Sequence, residues 1–244
     1  LESVGARLDG IFYEALAAAT RQRFFGSEAM AFVPKGPAWI GSLSSQRAAR
    51  KAQLPRYWHA RIDSEPELAE IEVSSFWVDR TPVTNLHFAE FRPPHIDRYP
   101  DEEHYHPVVS VSWHDAQAYA QWLGKELICE LRWEKAARGS DGRIYPWGNE
   151  YDPARLNAQE GGLRTTSDVG GYPSGASPYG CLDMAGNVWE WTASSWSEGM
   201  PFKVQKGGST LNPAALQVCS SRQEAFPDFV LQWVGFRLMS LEGP

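Results

Sequence analysis

The chain has 244 residues, a formal net charge of -7 and 22% charged side chains. That length admits one large domain or two small ones, and the composition is ordinary for a globular protein. An acidic balance with no long basic run argues against a general grip on a phosphate backbone, so nucleic acid is not an expected partner.

No segment approaches the ~20 apolar residues that span a bilayer. No secretory leader is visible at Leu1, and the chain does not open on Met, so no compartment is assigned. The 11 tryptophans, 21 glycines and 17 prolines point to a turn-rich fold held together by indole rings. Cys129, Cys181 and Cys219 show neither a Cys-x-x-Cys nor a zinc spacing and read as buried small hydrophobes.

Residues 1–29 read as a helix, with Val4, Leu8, Ile11, Phe12, Ala15, Leu16 and Ala19 at helical spacing and Gly26-Ser27 as the stop. Met30 to Ser42 reads as a hairpin turning at Pro-Lys-Gly-Pro. Residues 43–70 are charged and irregular and read as a loop with partial helix. Ile71 to Asp79 alternates like a half-buried strand, and Thr84 is an N-cap for a helix over 85–91. His106 to Trp113 is strand-like. A helix follows from His114, with Ala116, Tyr119, Ala120 and Leu123 on one face and Gly124 as its stop. Glu130 to Arg138 reads as a short helix ended by Gly139, residues 150–182 as loops, and Val234 to Met239 as a central closing strand. Trp113, Trp133, Trp147, Trp189 and Trp191 are the expected core, and Arg237 is expected to pin a loop through Asp228 or Glu190.

Candidate chemistry is sparse. His104 and His106 sit one residue apart, but no third ligand is evident, so they read as loop histidines. Ser209 follows two glycines without a Gly-x-Ser-x-Gly elbow and reads as a turn residue. The unusual stretch is 210–233. Its large apolar and polar side chains fit neither period, yet it lies between Gly207-Gly208-Ser209, Arg222, Pro227-Asp228 and Gly235-Phe236-Arg237. That is the pattern of a rigid frame carrying free side chains.

Those framing residues, with Tyr145 to Asn149 and Gly186-Asn-Val-Trp-Glu-Trp191, resemble the formylglycine-generating, sulfatase-modifying family, a variant of the C-type lectin fold. The resemblance runs from Met30 onward. It implies an α+β, loop-rich domain over 30–244 with a variable C-terminal region at 207–239, preceded by the helix of 1–29. The family's enzymes use two cysteines shortly after Gly-Gly-Ser; here Asn212 and Gln217 stand near those places, and neither supports thiol or copper(I) chemistry. The family's calcium segment would correspond to Asp183, the Gly186 and Val188 carbonyls and Glu190, with calcium a possible but not an expected cofactor. Iron oxygenases of the ergothioneine type share the fold but carry iron histidines partly in an added helical domain, and residues 1–29 contain none.

The frame is also similar to that of the variable proteins of diversity-generating retroelements, which vary positions between the same fixed residues. This implies a non-enzymatic, receptor-like protein that binds a protein ligand of unknown identity. The implied ligand-binding residues are Thr210, Leu211, Asn212, Pro213, Leu216, Gln217, Gln223, Glu224, Ala225, Phe226, Phe229, Leu231, Gln232 and Trp233. The alternatives are a sulfatase-modifying oxidoreductase and a catalytically inactive homologue.

Overall fold

The computed structural model describes residues 29–243; apart from Ala29, the helix expected over 1–29 lies outside them. Two segments expected to pair with each other part company. Strand β1 (Met30–Val33) pairs antiparallel with β4 (Phe76–Asp79), whereas β2 (Gly36–Ile40) pairs antiparallel with β3 (Ala69–Val73). The expected hairpin is therefore two strands in two different sheets. A buried cation explains the split: the Lys135 ammonium donates to the carbonyls of Pro34 at 2.8 Å, Gly36 at 2.9 Å and Val73 at 3.2 Å. The turn's acceptors thus face a helix instead of closing across a hairpin. The run expected as one strand over 71–79 is likewise broken, at Ser74-Ser75, between β3 and β4.

The charged stretch 43–70 carries two short helices, α1 (Ser44–Lys51) and α2 (His59–Asp63). Its buried Arg50 forks onto Glu65 at 2.8 and 2.5 Å, and the same carboxylate accepts Ser42 at 2.7 Å and Ser220 at 2.8 Å. A segment that looks like a solvated charge run therefore braces the C-terminal third.

Helix α3 (Asn85–Phe91) starts where expected, with Thr84 Oγ1 accepting the His87 N–H at 3.1 Å. Helix α4 (Trp113–Leu123) opens on a Ser112–Asp115 capping box and ends at Gly124, whose φ of 70° suits a residue without Cβ. Residues 106–112 form no strand; their one bridge is Thr84 with Pro107. Pro107 has no N–H to give a ladder, and Ser110 has a φ of 57°, which leaves the extended region. Strand β5 (Glu126–Leu127) then leads to helix α5 (Glu130–Arg138), closed by Gly139.

The C-terminal third builds a sheet in the order β8-β7-β6-β9 from β6 (Trp189–Ser195), β7 (Lys203–Lys206), β8 (Arg222–Ala225) and β9 (Val234–Phe236). Strand β9 lies parallel to β6. Strand β10 (Leu238–Ser240) inserts between β4 and β5, so the expected closing strand is divided at Arg237 between two sheets. Trp133, Trp189 and Trp191 are fully buried as expected, whereas Trp113 and Trp147 are half-buried at the rims. Each fully buried large side chain contributes roughly 1.5–3 kcal/mol.

Candidate functional site

The turn after β7 is built for rigidity. Gly207 and Gly208 have φ of 98° and 75°, and a Cβ on Gly208 would fall 2.2 Å from Gln217 Oε1. Asn212 Oδ1 accepts three donors: Ser209 N–H at 3.0 Å, Ser209 Oγ at 2.8 Å and Trp189 Nε1 at 2.7 Å. Gln217 Nε2 donates to the carbonyls of Ser209 and Asn212, both at 2.8 Å. Thr210 Oγ1 donates to Asn157 Oδ1 at 3.0 Å, and Leu216 is fully buried.

This corrects the expectation that residues 210–217 are displayed as a block. Thr210, Asn212, Leu216 and Gln217 are buried; they hold the turn, and Pro213 is half-buried, leaving Leu211 as the exposed large side chain. The same correction applies in β8, where strand alternation turns Gln223 and Ala225 inward and Glu224 outward. Gln223 Nε2 donates to Gln205 Oε1 at 2.5 Å inside the sheet. Leu231, half-buried, packs against the core around Trp189 and Trp191.

What remains outward is a coherent set: Leu211, Glu224, Phe226, Phe229, Gln232 and Trp233, joined by Val230. Phe226 stands between Phe202 at 4.4 Å and Phe229 at 5.3 Å, ring centre to ring centre. The loop bearing these side chains is held by its main chain. The carbonyls of Pro227, Leu231 and Trp233 accept the N–H groups of Trp113, Ser110 and Trp189 at 2.9, 3.0 and 2.9 Å. None of these bonds depends on which side chain the loop carries.

Beside this loop lies a cavity of about 480 Å³, lined in part by Thr210, Leu211, Gln232 and Trp233. The same cavity is lined by Arg98, Tyr99, Glu103 and Ser110, and by Arg164 to Thr166. Sequence reasoning missed these residues because they form no motif and come from separate stretches, 98–110 and 164–166. A second cavity, about 510 Å³, shares Arg98 and Ser110 and reaches Val230.

Burial pushes the Cys219 thiol up to about 12 and raises Cys181 as well, so both are poor nucleophiles. His95 is pushed down to about 4 by burial, then by Arg98 and Arg92, and stays neutral near pH 7. Its Nε2 lies 3.0 Å from Asn85 Oδ1. The Asn85 amide nitrogen donates elsewhere, to the Glu103 carbonyl at 2.9 Å, so Nε2 is the protonated nitrogen. His104 and His106 face different carboxylates, Asp101 at 3.7 Å and Asp168 at 3.8 Å.

The calcium set implied by the family does not fit these side chains. Both Glu190 oxygens are engaged by Arg237, and Trp133 Nε1 donates to one of them at 2.8 Å. Asp183 accepts the Gly170 N–H at 2.6 Å, and burial raises its carboxyl to about 6. Among the described residues, no three His, Cys, Asp or Glu side chains converge to hold a metal, and no helix is long and apolar enough to cross a membrane.

Three small sheets, short helices and long loops around a Trp-rich core define an α+β domain of the C-type lectin type. Residues 15–241 match the sulfatase-modifying factor enzyme 1-like domain, and the chain belongs to that family. It is 38% identical over 154 residues to the inactive C-alpha-formylglycine-generating enzyme 2 of Bos taurus, covering 56% of this chain and 51% of that one. It is 48% identical over 107 residues to the formylglycine-generating enzyme of Thermomonospora curvata, covering 38% and 34%. The chain thus spans about half the length, or less, of these relatives. In fold it is similar to Treponema denticola variable protein 1, with a TM-score of 0.70 at 18% identity over 86% of this chain and 94% of that one.

Proposed function

We propose that this domain recognises a protein ligand without catalysing a reaction, through the surface formed by Leu211, Glu224, Phe226, Phe229, Gln232 and Trp233. One observation carries the reading: the loop 226–233 is fixed by main-chain hydrogen bonds to Ser110, Trp113 and Trp189, while Phe226, Phe229, Val230 and Trp233 stay exposed and only Leu231 packs inward. Such a loop tolerates change in its side chains without losing its path, and preorganised contacts lose less entropy on binding. Exposed aromatic side chains are the anchors that dominate binding energies.

The absence of a reactive group supports the non-enzymatic reading. The family's paired cysteines would stand near Asn212 and Gln217, whose amides are consumed in holding the turn. The shared fold with a variable protein supports diversification of these positions by a retroelement. A neighbouring reverse-transcriptase gene and a near-copy of the segment encoding 210–233, differing mainly at adenines, are the expected genomic signature.

The test is a library randomised at the six outward positions. Most members should unfold within a few degrees of the parent while their captured ligands differ. A library in which most members fail to fold would assign these side chains to the core and overturn the reading.

A further inference from the structure

We infer that the cavity beside Trp233 reads a single carboxylate, held between Arg98 and Arg164; this rests on the recognition face proposed above. The first observation is that two arginines without an ion pair line the same cavity. The chain has 30 acidic and 23 basic side chains, and several of its surface arginines meet a carboxylate, although others, such as Arg56, have no ion pair to a described residue. Arg92 meets Asp115 at 2.5 Å, Arg143 meets Asp141 at 2.6 Å and Arg155 meets Asp152 at 2.9 Å. Arg98 and Arg164 line one cavity, and neither has an ion pair or a hydrogen bond to another described residue. Two guanidinium forks with unused donors, brought to one concave site on an acidic protein, suit a planar anion.

The second observation concerns charge count. Glu103 lines the same cavity. Its carboxylate leaves room for one added negative charge and disfavours a dianion such as phosphate. The third is backbone geometry. Arg164 and Ser110, both lining the cavity, have φ of 56° and 57°, in the left-handed region that non-glycine residues seldom occupy. Such residues persist where the surroundings hold them, and they cluster at ligand sites. Trp233 and Leu211 supply the apolar side of the same cavity, so the ligand group is an acid on a short apolar stem: an Asp or Glu side chain of a protein, or a free small carboxylate.

The probe is a phage-displayed random peptide library panned on the full chain, followed by calorimetry with synthetic peptides. Enriched peptides are expected to carry Asp or Glu at a common position. Replacing that residue by its amide should weaken binding at least ten-fold. Arg98→Gln and Arg164→Gln should each do the same, while Arg143→Gln should not; all three arginines are at or near the surface, so the fold is retained. Displacement by millimolar butyrate, a monoanion on a short apolar stem, would assign the site to free carboxylates as well; no displacement would assign it to peptide-borne ones, and either supports the inference. Peptides lost on Trp233→Ala but indifferent to both cavity arginines would leave the recognition face standing and overturn the carboxylate. So would displacement by inorganic phosphate at lower concentration than butyrate. Peptides indifferent to Leu211, Phe226, Phe229 and Trp233 would overturn the recognition face itself.

Discussion

Arg237 grips Glu190 through two parallel hydrogen bonds of 2.7 Å in a place where neither side chain reaches solvent. The remaining guanidinium donors reach the carbonyls of Asp79, Arg80 and Leu182 at 3.2, 3.1 and 2.9 Å. Arg237 lies at the break between β9 and β10, so this pair ties two sheets and a loop together. Burying such a pair gains little over apolar packing, but removing one partner leaves a buried charge unpaired, at about 3–5 kcal/mol. Glu190→Gln is therefore expected to lower the unfolding free energy by about that much, read as a fall in the urea midpoint at unchanged m. Arg237→Lys should also be costly, since an ammonium cannot reproduce the fork. An unshifted midpoint in Glu190→Gln would remove the pair from its role as a clamp.

The outward and inward members of 210–233 should separate cleanly in stability. Phe229 is 49% exposed and Leu216 is 0% exposed. Phe229→Ala and Gln232→Ala are expected to change unfolding free energy by no more than about 0.5 kcal/mol. Leu216→Ala should cost about 2–5 kcal/mol, from lost transfer energy and the cavity left behind. Chemical denaturation of the three variants checks this. Similar losses in all three would mean that the loop is part of the core.

Local signals were legible where one residue decides the outcome. Thr84 starts a helix, Gly124 and Gly139 end helices, and Arg237 needed a carboxylate, with Glu190 among those expected; the Ser112 cap, one residue before Trp113, reads in the sequence as part of a strand. Partner choice was less legible. Whether β1 pairs with β2 depends on Lys135, a residue about 100 positions away that binds the turn's carbonyls. The frame around 210–233 was readable as a series of fixed residues, but not which side chains face out. Irregular backbone has no period, so Asn212 and Gln217 looked like surface amides although their bonds are internal. The arginines lining the cavity with Trp233 carried no motif, because tertiary packing alone brings positions 98 and 164 to it.

Acid should loosen the wall of the recognition face first. His95 binds its proton at about 4 in the folded chain and at its ordinary 6.5 when unfolded. Between these values the unfolded chain holds more protons, so the stability this group contributes is complete above 6.5 and is lost as pH falls towards 4. Protonation would also place a charge beside Arg92 and Arg98, both of which act on His95. The slope of unfolding free energy against pH in this window should flatten in His95→Gln, which keeps a donor for Asn85 Oδ1. A slope unchanged by that substitution would assign the acid sensitivity to other groups.

The amide at 212 offers the sharpest separation of frame from chemistry. Asn212 Oδ1 is the acceptor for the Trp189 indole at 2.7 Å and for both donors of Ser209, and all of these groups are buried. Asn212→Ala strands those donors away from water, at roughly 1–3 kcal/mol for each buried group left unpaired. Asn212→Asp keeps the acceptor and should retain most of the stability, since all three partners donate. Neither variant should change affinity for a ligand by more than its effect on the folded fraction, because Asn212 holds the turn from inside while Leu211 faces out. Denaturation curves and calorimetry on the same samples test both halves. A folded Asn212→Asp protein with a ten-fold loss of affinity would show that this amide touches the ligand, and would return position 212 to the binding surface.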